Sequence, residues 1–296
     1  MNSAFSHGES MKPQAMRASN KMTALDMGWD SFDLKLIRVL GTLLGVILVV
    51  STYLHFWAPD VLRVPQTPVP DNTFFDMLFM EALTLVMSFL CGVHCYRKFG
   101  PYATMLFFVG SFVFTGSMEN LMIITGRFGL IPFQSYYFNK GGLTLFFEVP
   151  TSVCLGWFVL AYSSVYLAGL LFPRTGHVAR AAIAAFICMD IDLWSDPVMT
   201  HPANMFWTWL QDRAETTHLF SIPLYNFVGW FGVIFFFEVL WLKTQDWHRT
   251  MGKQKATVRF FLWVFFLIAL YLAMVVASEL LIRAVLPPVN FTIGGV

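Results

Sequence analysis

Two aspartates stand four residues apart in Asp192-Leu-Trp-Ser-Asp196-Pro197. Positions i and i+4 share a helix face, so the two carboxyls stack. Two carboxylates in a dry site cannot both ionise cheaply, and such a pair holds a proton between them. A carboxylic acid that keeps its proton at neutral pH can serve as a general acid. Pro197 disfavours the α region for the residue before it, which predicts a helix end at Asp196. Asn226 lies in Ile222-Pro-Leu-Tyr-Asn-Phe-Val-Gly-Trp230. A buried carboxamide there can orient a carboxyl or hold a water, or simply bind helix to helix. Trp207, Trp209 and Trp230 flank this stretch. Their faces can stabilise a developing cation, although interfacial belts also use Trp. Glu119 and Glu148 are two more acids inside apolar runs. Cys91-Gly-Val-His94-Cys95 fits one helical face, but no partner ligands accompany it, so no metal site is expected.

These groups need elements to carry them. The chain is 57% hydrophobic and 12% charged, with 32 Phe and 10 Trp. Soluble domains carry about 25% charged residues, so a water-soluble chain is excluded. A net charge of +1 gives no basic surface for nucleic acid. Cys91, Cys95, Cys154 and Cys188 all fall in apolar runs and predict packed thiols, not disulfides. A bilayer core of ~30 Å takes about 20 apolar residues per helix. Runs at 36–57, 74–95, 102–124, 143–171, 178–194, 219–242 and 259–284 qualify. The expected fold is therefore all-α, a polytopic transmembrane bundle of about seven helices, with Pro150 kinking the fourth. Residues 1–33 read as a disordered polar tail, 34–286 as one transmembrane domain and 287–296 as a short tail. No internal repeat stands out.

Lys and Arg set the orientation. With the N-terminus inside, all basic residues except Arg63, Arg127, Lys140, Arg213 and Arg283 fall in inside segments. This predicts N-in and C-out, in the cell membrane. Ionisable groups at membrane depth cost roughly 2.5–3.5 kcal/mol each on insertion scales and are functional candidates by default. In this topology Glu81, Glu119, Glu148, Asp190, Asp192 and Glu279 lie toward the outer side. Glu238 is expected at an inner helix end, paired with Lys243.

Three blocks resemble the carotenoid biosynthesis family that includes the carotenoid 1,2-hydratases of the CruF type and the bisanhydrobacterioruberin hydratase of haloarchaea. The first runs from Glu119 through Thr125-Gly126 and Pro132-Phe133 to Tyr136. The second runs from Glu148-Val149-Pro150 to Gly156-Trp157 and Ala161-Tyr162. The third joins Asp192 to Asp196-Pro197, Trp207-Thr-Trp209 and Ile222 to Trp230. The resemblance implies a cofactor-free hydratase that adds water to the terminal double bond of an acyclic carotenoid. Asp196 or Asp192 would supply the proton, Glu148 or Glu119 would hold or deprotonate the water, and Asn226 would orient them. Trp207, Trp209 and Trp230 would shelter the cation, and Tyr136, Tyr137 and Trp157 join them as candidate substrate contacts. The implied partners are the carotenoid, water, the lipid bilayer and other enzymes of the pathway. The rival classes are a non-catalytic carotenoid- or lipid-binding or transport protein and an intramembrane prenyltransferase using the Asp190–Asp192–Asp196 cluster.

Overall fold

The computed structural model describes residues 31–62, 73–139, 142–211 and 213–292. Seven long helices make up most of it: α1 (Ser31–Trp57), α2 (Thr73–Phe99), α3 (Pro101–Arg127), α4 (Thr151–Leu171), α5 (His177–Met199), α6 (Leu224–Met251) and α7 (Lys253–Val285). A single helical turn, Pro59–Leu62, follows α1. All but α5 are long and apolar enough to cross a membrane. Arg180, Asp190, Asp192 and Asp196 lower the hydropathy of α5. Val49, Phe75, Phe89 and Leu262 lie exposed on the bundle surface. Leaving such a side chain in water costs about 1.5–3 kcal/mol, so these faces belong against lipid. The all-α bundle expected from the hydropathy is what the chain forms.

The connections differ sharply between the two ends. At one end Gly100 (φ 83°) alone joins α2 to α3, and Gly252 (φ 80°) alone joins α6 to α7. Only glycine takes that left-handed backbone cheaply, and Pro101 then starts α3 where its missing N–H is harmless. The other end carries every strand: β1 (Tyr136–Phe138), β2 (Leu145–Phe146), β3 (Val149–Pro150), β4 (Trp207–Trp209), β5 (His218–Leu219), β6 (Ile222–Pro223) and β7 (Asn290–Phe291). Strand β1 pairs antiparallel with β4, β2 with β3 and β5 with β6, while β7 joins β5 in parallel.

Several expectations change. The fourth helix starts at Thr151, not near 143, because 145–150 form a hairpin turning through Phe147 at φ 57°. Pro150 forces Val149 out of the α region and precedes the helix instead of kinking it. The sixth helix likewise starts at Leu224, after the hairpin that turns through Phe220 and Ser221. α5 runs three residues past Asp196, with Pro197 tolerated in its last turns. α1 begins at Ser31, so the end of the expected tail is helical: Asp33 is buried and bonds Lys253 Nζ at 2.5 Å. The rest of that tail lies outside the described residues. The C-terminal tail contributes β7. Glu238 does not pair with Lys243: it is fully buried midway along α6, and neither of its oxygens has a hydrogen-bond partner among the described residues.

The expectation of no repeat is also corrected. Thr144-x-x-Phe147-x-Val149-Pro150-x5-Gly156-Trp157-Phe158 returns as Thr217-x-x-Phe220-x-Ile222-Pro223-x5-Gly229-Trp230-Phe231. Thr151 N donates to Thr144 O at 2.9 Å, and Leu224 N donates to Thr217 O at 3.0 Å. The same offset, without a gap, carries Glu119 onto Asp192 and Tyr136 onto Trp209. Tyr136 and Trp209 face each other in the β1–β4 register, with ring centroids 4.8 Å apart. Trp157 and Trp230 also meet, at 4.4 Å. Two residues that each touch their own counterpart define a local two-fold axis. The unit α3–β1–hairpin–α4 is thus repeated as α5–β4–hairpin–α6.

Candidate functional site

A cavity of about 300 Å³ lies at the strand-bearing end, between α2, α4 and α5, under the β1–β4 ribbon. Glu119, Asp196 and Asn226 line it, as do Tyr136, Trp157, Trp207, Trp209 and Trp230. The remaining wall is mainly apolar: Met77, Met80, Val153, Gly156, Leu160 and Ile191 contribute. An apolar cleft with a few convergent polar groups is the usual form of a ligand site.

Each polar group is held from a different element. Asn226 sits in the first turn of α6, placed by the hairpin and Pro223. Its Nδ2 donates to Asp192 Oδ2 at 2.9 Å and to Asp196 Oδ2 at 2.6 Å. The two carboxyls are also within hydrogen-bonding reach of each other. Both are buried, and no ion pair engages either among the described residues. A proton shared between them is the inexpensive arrangement. Asp196 reaches the cavity, whereas Asp192 stands behind it and outside the lining.

Glu119, on α3, faces the same cavity. Its Oε1 accepts Trp157 Nε1–H at 2.8 Å, and its Oε2 accepts the Tyr136 hydroxyl. The carboxyl is therefore fixed by α4 on one side and β1 on the other. It is near enough to Asp196 for their charges to interact.

Behind Glu119 is a second void of about 20 Å³, walled by Tyr225, Gly229, Tyr271 and Val275, and sharing Glu119, Tyr136, Trp157, Asn226 and Trp230 with the cavity. A water needs roughly 10–15 Å³ and two or more polar neighbours. The buried Tyr225 hydroxyl has no hydrogen-bond partner among the described residues. On the cavity side, Ser195 Oγ and Trp209 Nε1 are in the same condition.

Two candidates stand elsewhere. Glu148 is outside the cavity lining: its carboxylate is bidentate to Arg127, and its N–H bonds Asn120 Oδ1 at 2.9 Å. Tyr137 is buried and also outside the lining. Side chains alternate along a strand, so Tyr136 and Phe138 turn to the cavity and Tyr137 turns away. Ser195, Gly156, Tyr225 and Tyr271 were not anticipated. Ser195, Gly156 and Tyr225 fall inside the stretches that carry the resemblance, whereas Tyr271 lies outside them. Glu81 also lines the cavity and accepts Leu143 N–H at 2.7 Å, fixing one edge of it.

The family model described as carotenoid biosynthesis protein matches residues 75–293, from α2 through β7. The chain belongs to this carotenoid biosynthesis family. No curated protein and no solved structure matches it. Family membership assigns the chain a role in carotenoid biosynthesis as an integral membrane protein. It leaves α1 outside the matched region. That helix is attached by polar contacts: Ser51 Oγ accepts Phe147 N–H and Thr52 Oγ1 accepts Leu145 N–H, both at 3.0 Å.

Proposed function

We propose that the protein is a carotenoid hydratase adding water across the terminal double bond of an acyclic carotenoid. One observation carries the reading: Glu119 stands between an apolar cavity that Asp196 also lines and a water-sized polar void. A binding or transport protein would need the cavity but not that division. Asp196, backed by Asp192 and Asn226, donates its proton to the terminal alkene carbon. The new C–H bond leaves a tertiary cation, which the faces of Trp157, Trp230 and Trp209 stabilise. Water held beside Glu119 attacks the cation, and its proton passes to the Glu119 carboxylate. A C–O bond has formed, the alkene has gained one water, and a proton returns from Glu119 to Asp196 through solvent. No redox change occurs and no cofactor is called for. The strand-bearing end faces outward in this reading, in the cell membrane.

The test is expression in a bacterium that accumulates an acyclic carotenoid, with mass analysis of the pigment. Hydrated pigment from the wild type, and none from Asp196→Asn at equal protein level, is the expected result. Unchanged pigment from the wild type would favour a binding or transport role.

A further inference from the structure

The two repeated halves differ in what covers their matching glycines. In the α5–α6 half, Tyr271 of α7 lies against Gly229, and a Cβ there would meet its hydroxyl at 3.0 Å. Tyr271 and Val275 fill that side, leaving only the small void. At the equivalent Gly156 a Cβ would meet nothing within 4 Å, and the large cavity opens over it. The cavity is thus the counterpart of the space that α7 occupies on the other side of the axis.

The opening also has a direction. α2 and α5 each pack along α4, with no substantial contact joining them across it. α2 meets α4 where Ser88 Oγ donates to Leu155 O at 3.3 Å and where Cys91 lies beside Ser163. Thr84 of α2, Leu160 of α4 and the exposed Ile191 of α5 line the gap between the three helices. Leu83 of α2 and Leu167 of α4 are likewise exposed and apolar. The mouth therefore opens on the apolar flank of the bundle.

We propose that this cleft over Gly156 is a lateral binding channel for the apolar polyene tail, which lies along α4 much as α7 lies along α6, while the reacting end reaches Glu119 and Asp196. Gly156 is then a specificity-determining position for a long, rod-like isoprenoid. The inference rests on the carotenoid reading of the same site.

The test measures binding of an acyclic carotenoid to the full-length protein in lipid nanodiscs, by titration of polyene absorbance. Gly156→Phe fills the channel and should weaken binding by at least about tenfold, with an unchanged thermal midpoint, because nothing stands where its side chain begins. Gly156→Ala should bind within about twofold of wild type. Should Gly156→Phe fail to fold, Thr84→Trp narrows the same mouth from the opposite wall and should weaken binding similarly. Full-strength binding by a folded Gly156→Phe or Thr84→Trp would overturn the channel. The two readings also separate: weakened binding with no hydrated product from the wild type keeps the channel and sinks the hydratase. Hydrated product at the wild-type rate from Gly156→Phe does the reverse.

Discussion

Glu119→Gln separates chemistry from structure. Glu119 accepts two hydrogen bonds, from the Trp157 indole and the Tyr136 hydroxyl. The indole can only donate, whereas a phenol can also accept. Gln fits this pair: its Oε1 faces Trp157, and its amide donates to a Tyr136 hydroxyl that has turned round. Both bonds survive, so the stability change should stay within about 1 kcal/mol. Gln cannot take the proton of an attacking water. Loss of a general base costs typically 10²–10⁴-fold, which would bring hydrated pigment below detection in most strains. Glu119→Ala behaves differently, since it takes the acceptor from the buried Trp157 N–H and the half-buried Tyr136 hydroxyl. Each costs about 1–3 kcal/mol, for a loss of roughly 2–6 kcal/mol, visible as a lowered thermal midpoint in detergent. The assay pairs that midpoint with pigment mass analysis of the same preparations. A Glu119→Gln protein with wild-type product would refute Glu119 as the proton acceptor. Equal destabilisation by Gln and Ala would refute the hydrogen-bond reasoning.

Other outcomes can be checked by the same two measurements. Asn226→Leu removes the only donor bridging Asp192 and Asp196 among the described residues, at 2.9 and 2.6 Å, and should cut product at least about tenfold while retaining bound pigment; unchanged product would show that the bridge is dispensable. Arg127→Met leaves the Glu148 carboxylate buried without its cation, a loss of about 3–5 kcal/mol for a buried pair; it should reduce folded yield but leave product per folded molecule unchanged, and the opposite pattern would return Glu148 to the chemistry. Glu238→Met replaces a fully buried carboxyl lacking hydrogen bonds and should raise the thermal midpoint, since an apolar residue of similar size avoids the cost of burial; a fall would reveal a partner for Glu238. Gly116→Ala sets a Cβ 2.7 Å from Phe146 and 2.9 Å from Cys154 Sγ and should cost about 1–3 kcal/mol by overpacking, seen as a lower midpoint.

The helices were legible because hydropathy over twenty residues is a strong signal. Their strand-bearing ends were not. Leu145, Phe146 and Val149 are as apolar as the helix they precede, and only Pro150 distinguishes the hairpin in sequence. The polar residues of the cavity were legible one by one, because acids and amides are rare at membrane depth. Their division of labour was not. Asp192 and Asp196 share a helix face, yet only Asp196 reaches the cavity, and that depends on where α6 sets Asn226. Glu148 looked equal to Glu119 until Arg127, distant in sequence, came to its side. The repeat was not legible because its matching residues are few and scattered. Its meaning rests on ring pairs such as Trp157–Trp230 that sequence alone does not bring together.

That duplication carries a further consequence. In a symmetric dimer of one half, Gly156 and Gly229 would be a single codon. Both clefts would be open or both shut, and Glu119 and Asp192 would be the same amino acid. Joining the halves in one chain removes that identity. One cleft can be plugged by a tyrosine while its twin stays open to the membrane, and one acid can keep a proton-sharing partner while the other does not. Two different jobs can then be performed on either side of a single axis.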